Sequence, residues 1–155
     1  MSMVALSTVL ATRTVATMIY PHVIINSITS IASNLILGIG HLLTISDDTE
    51  LQSIILTTDI IQDIQIIKSF VEDKEKHKTN NKSLLSCIDN LNKTLIDLES
   101  NINIITQKTE YNKQVWFSYF RRYNTTKEKE NIILLIKQLN HRFELFVKIC
   151  SIIYI

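Results

Sequence analysis

From Leu84 onward the apolar residues fall at Leu84, Ile88, Leu91, Leu95, Leu98, Ile102 and Ile105, alternating steps of four and three. A strand would turn successive positions to opposite faces, whereas these steps bring all of them to one side of a helix. The segment predicts a helix over 82–108. Ile132, Ile136, Leu139, Phe143, Phe146, Cys150 and Ile153 repeat the pattern and predict a second helix over 127–154. Two helices with such seams should pack nearly antiparallel, at the shallow crossing usual in bundles.

Earlier in the chain the same spacing recurs less cleanly. Ile24, Ile28, Ile31, Leu35, Ile39 and Leu42 line one side of a helix predicted over 22–45, while Asn26, Ser27, Ser30, Ser33, Asn34 and His41 gather on the other. A further helix over 47–77 is announced by Ser46, Asp47 and Asp48, whose acceptors and negative charge suit the free amides and dipole of a helix start. Leu51, Ile54, Ile55, Ile61, Ile64, Ile67, Phe70 and Val71 supply its inner face, and Ile60 and Ile66 widen that face enough to suggest contacts on two sides. Residues 1–20 form a leading segment, expected to be a short helix ending before Pro21, because the residue before a proline is pushed out of the helical region. The stretch 112–123, with Trp116 and Phe120 four apart, predicts a short connector helix lying across the bundle. The expected fold is therefore all-α, a single domain over 1–155. It is an up-down four-helix bundle with a leading helix and a connecting brace.

Composition agrees with the spacing. Two glycines and one proline in 155 residues leave few sites for hairpins or phosphate loops, and 46% hydrophobic residues can fill one core. The net charge of +1 hides an uneven distribution, with an acidic excess over 46–107 and a basic excess over 108–155. No Asp, Glu, Lys or Arg occurs from Thr14 to Ser46, and 23–43 is long enough to span a bilayer. The polar stripe favours a bundle helix, and entry into a membrane stays open as the alternative. Cys87 and Cys150 belong to no CxxC or Cys/His ligand pattern and read as buried thiols in a reducing, cytoplasmic compartment.

Chemistry is sparse. His22, His41, His77 and His141 are far apart, and Glu144 follows His141 in the reverse of the order a helical di-metal site uses. Asp47, Asp48 and Glu50 lack the loop glycine and ligand alternation of a calcium hand and read as a helix start. The expectation is no enzyme, no metal, no cofactor and no small-molecule substrate. Lys113, Arg121, Arg122, Lys127 and Lys129 surround an aromatic cluster and suit anionic headgroups. Nucleic acid is not expected, because the neighbouring region is as negative as this one is positive.

The third helix, LLSCIDNLNKTLIDLESNINIIT from Leu84, the connector NKQVWFSYFRRYNTTKEKE from Asn112 and the following IILLIKQLNHRFELF from Ile132 together resemble the N-terminal four-helix bundle of mixed-lineage kinase domain-like proteins and of HeLo-like cell-death domains. The resemblance implies a necroptosis-like domain that oligomerises, binds anionic membrane lipid and permeabilises membranes. In it the five basic residues would meet lipid, and Leu84, Ile88, Leu91, Leu95, Leu98, Trp116, Phe120, Leu139, Phe143 and Phe146 would form the core and brace. No kinase-like domain accompanies the bundle in this chain. The rival expectation is an adaptor or scaffold bundle whose apolar seam takes a partner protein helix.

Overall fold

The first helix, α1 (Met3–Ile45), is uninterrupted. It is followed by α2 (Thr49–Thr57), α3 (Ile60–Glu75), α4 (Lys82–Gln114) and α5 (Thr126–Ile153). The computed structural model describes the backbone of residues 3–75, 81–115 and 123–153, and side chains of 23–74, 81–115 and 123–153.

The expected stop before Pro21 does not occur. A proline inside a helix withdraws one hydrogen bond and crowds the preceding turn, at about 3 kcal/mol. The adjoining turns remain helical, and burial of Ile24, Ile25 and Ile28 immediately afterwards anchors the continuing helix. The bias before proline is thus overridden by tertiary burial.

The expected helix over 47–77 is split. Thr58 ends α2, its amide and hydroxyl both donating to the Ile54 carbonyl, and Asp59 adopts a left-handed φ of 52° before α3 begins. The reason lies in the phase of the apolar residues. Leu51 and Ile55 are buried, as are Ile60, Ile64, Ile67 and Val71. In one continuous helix the second set would lie about half a turn away from the first. The break at Thr58 and Asp59 turns both sets inward, which explains why Ile60 looked like a second face in the sequence. Ile66 stays 47% exposed.

Helix α1 packs against α3 and α4, and α5 packs against α4 and more lightly against α2 and α3. Ser27 bonds to Asn92 and His41 meets Glu110, so α1 and α4 run parallel. Asn101 reaches Glu128 while Arg142 reaches Thr94, so α4 and α5 run antiparallel, as their seams predicted. Among the described residues the order around the bundle is therefore α3, α1, α4, α5. Directions alternate along the chain, yet α1 and α4 are parallel neighbours, and the link from α3 to α4 joins helices on a diagonal.

The core is continuous. It holds Ile28, Leu35, Ile39 and Leu42 of α1, the isoleucines of α3, the whole α4 seam and Ile132, Ile136, Leu139, Phe146 and Cys150 of α5. Phe143 is partly buried and meets Phe70 edge-on with ring centres 5.7 Å apart. Cys150 is buried and Cys87 half-buried, both unpaired. Gly38 of α1 faces Ile102 of α4, where an added Cβ would make an ordinary 3.5 Å contact with Ile102 Cγ2.

Candidate functional site

Lys113 and Lys129, two of the basic residues singled out in the sequence, meet at one end of the bundle. There the α1–α2 link, the end of α4 and the start of α5 meet around a cleft lined by Asp47, Asn112, Lys113, Tyr123 and Lys129. Asp48 caps α2, its Oδ1 accepting from the Leu51 amide at 3.0 Å, and its other oxygen lies 3.0 Å from Lys129 Nζ. Lys129 also binds the Glu50 carboxylate. Burial alone would raise the Asp48 carboxyl, but the Leu51 amide and Lys129 outweigh it and hold it below its ordinary range. The Glu50 hydrogen bond raises the Lys129 ammonium against the effect of burial, and Asp48 adds to the rise.

One residue before Lys129, Glu128 is buried at the start of α5. Its Oε1 takes a 2.7 Å bond from Lys108 Nζ, and its backbone carbonyl accepts from Asn101 Nδ2 at 2.8 Å. The Lys108 hydrogen bond lowers the Glu128 carboxyl, overcoming the opposing effect of burial. Glu128 Oε2 is buried with no protein donor among the described residues. Asn112 clamps the chain where it returns, since its Oδ1 accepts from the Tyr123 amide at 2.8 Å and its Nδ2 donates to the Tyr123 carbonyl at 3.1 Å. The rings of Tyr111 and Tyr123 lie 4.9 Å apart.

Of the five basic candidates, Lys127 is exposed and Lys113 is 46% exposed, with its Nζ 3.7 Å from Asp47. Lys129 is different, because only 12% of its side chain is exposed and both its carboxylate partners come from the start of α2. Its charge is therefore largely committed inside the bundle. Arg121, Arg122, Trp116 and Phe120 lie outside the described residues, as does most of the expected connector helix. Asn112 to Gln114 belong to α4 instead, and Val115 is extended. The predicted core residues Leu84, Ile88, Leu91, Leu95, Leu98, Leu139 and Phe146 are all buried.

Pattern reading missed Lys108, Asn101 and Glu128. A signal was available: Asn101 falls between the seam residues Leu98 and Ile102, and a polar amide there requires a buried partner. The Asn112 clamp left no comparable trace, since amide-to-backbone bonds depend on where the chain returns.

The other notable surface is α1. Its stretch Val23–Ile45 is long and apolar enough to cross a membrane, and Ile24, Ile28, Leu35, Ile39 and Leu42 within it are buried in the bundle. Val23 and Leu37 are exposed at 59% and 73%. Asn92 lies ten residues into α4, so by register α4 begins level with about residue 17 of α1, and the first turns of α1 have no counterpart on α4. Among the described residues no three His, Cys, Asp or Glu side chains gather as a metal site. No family profile, curated protein or solved structure matches this chain.

Proposed function

We propose that this protein is a non-enzymatic bundle that binds anionic membrane lipid and acts through α1, in the manner that its resemblance to cell-death bundles implies. The observation that carries the reading is α1 itself: a 43-residue helix, uncharged from Thr14 through Ile45, long and apolar enough over Val23–Ile45 to cross a membrane, with Val23 and Leu37 exposed on its outer side. Its described side-chain hydrogen bonds to α4 are Ser27 to Asn92 and His41 to Glu110, and the His41 contact is exposed. A helix held mainly by apolar packing loses little when lipid chains replace its protein neighbours, because both are apolar surroundings.

In this reading Lys113, Arg121, Arg122 and Lys127 supply the first electrostatic contact with the headgroups, and Lys129 joins them only if lipid phosphate displaces Asp48 and Glu50. The protein resides in the cytoplasm and is recruited to a membrane. It takes no cofactor, nucleic acid or small-molecule substrate. The rival reading is an adaptor that binds a partner protein helix, favoured by the apolar residues Ile96 and Ile104 exposed on α4 at 44% and 42%.

Sedimentation with neutral and anionic vesicles, at low and high salt, separates the two. Lipid recruitment requires binding selective for anionic vesicles that weakens with salt and with charge reversal at Arg121 and Arg122, and dye release that is lost when the chain starts at Pro21. Absence of binding to both vesicle types contradicts it and favours the adaptor.

A further inference from the structure

The outer face of α5 carries a second apolar line, directly opposite its core seam. Leu134, Leu145 and Ile152 are exposed at 54%, 41% and 74%, and exposed His141 lies on the same line. These positions, separated by seven, four and seven residues, stay together on one side of the helix. A solvated helix needs no such line. Beside it run Glu130, Lys137, Glu144 and Lys148, all exposed.

The order of these charges identifies an occupant. An antiparallel copy of the same helix, with its two-fold axis crossing near Asn140, sets Leu134 against Leu145 of the other copy. The same alignment brings Lys137 beside Glu144 and Glu130 beside Lys148, and the symmetry forms each pairing twice. Ile152 then lies along the aliphatic stem of Lys127. A parallel, in-register copy would instead bring like charges level with one another. We infer that the outer face of α5 is an isologous interface through which two copies of the folded bundle pair antiparallel. The pairing needs no membrane, so its success or failure is independent of lipid recruitment.

Sedimentation equilibrium of the full chain over a concentration series tests the pairing. The mass should rise from the 17.9 kDa monomer towards a dimer as concentration increases. Glu144→Lys turns both Lys137 contacts repulsive and should weaken the dimer about tenfold. The double variant Lys137→Glu with Glu144→Lys restores opposite charges and should recover the original affinity. Circular dichroism confirms that each variant keeps its helices, as expected for exposed positions. A monomer at all concentrations overturns the inference. So does a dimer indifferent to Glu144→Lys, or one that the double variant fails to restore.

Discussion

Lys129, in the first turn of α5, lies 3.0 Å from the carboxylate of Asp48, the residue that caps α2. One side chain therefore both ends the α1–α2 link and fastens the last helix to it. Asp48→Ala removes cap and ion pair together and should cost about 1 to 2 kcal/mol in urea denaturation. Asp48→Asn keeps an acceptor for the Leu51 amide and should cost less. Equal losses for the two would assign the whole effect to charge.

Leu95 is fully buried in the α4 seam. Leu95→Ala should cost about 2 to 5 kcal/mol through lost contacts and an incompletely closed cavity. Leu37→Ala, at a position 73% exposed, should shift stability by less than about 0.5 kcal/mol. An unchanged melting temperature for Leu95→Ala would remove α4 from the core.

Asp59 holds a left-handed φ of 52° between α2 and α3. Asp59→Gly relieves that conformation and should stabilise by up to about 1 kcal/mol. Asp59→Val should destabilise, because a β-branched residue fits the left-handed region poorly. If valine is tolerated as well as glycine, the phase-resetting turn is not required.

These positions also show how far the sequence carried. The α4 and α5 seams were legible because steps of four and three admit one geometry, and the residues they named are buried. The break at Thr58 and Asp59 was visible only as an unexplained widening by Ile60, since periodicity records a helix's phase and not the reason that it changes. Pro21 misled because a local bias was weighed without the burial that follows it. Lys129 was identified as basic, but its commitment to Asp48 and Glu50 depends on folding that brings residues some 80 positions apart together.

Acid should weaken the fold in a definite direction. Asp48 and Glu128 both have lowered carboxyl pKa values, so their stabilisation is present above the ordinary carboxylate range and lost as pH falls through their folded values, below about pH 4. Asp63 acts oppositely, since burial and the nearby Asp59 charge raise it, and its protonation relieves the folded state. The urea midpoint should therefore fall between neutral pH and about pH 3, more steeply in Asp63→Asn. Lys129 is raised, so its contribution is present below about pH 10.4 and is lost as pH rises through its folded value. A midpoint that does not change with acidification would contradict these assignments.

The role proposed for α1 requires it to separate from α4 in lipid, and a reversible tether tests that directly. Gly38 of α1 faces Ile102 of α4, a Cβ at Gly38 lying 3.5 Å from Ile102 Cγ2, and Gly38→Cys with Ile102→Cys, in a chain whose Cys87 and Cys150 are replaced by alanine, offers a disulfide tether whose formation mass spectrometry checks. Dye release from anionic vesicles should be abolished in the oxidised protein and recovered on reduction, while vesicle binding persists in both. Equal dye release by the two forms would contradict the account, because α1 would then act without leaving the bundle.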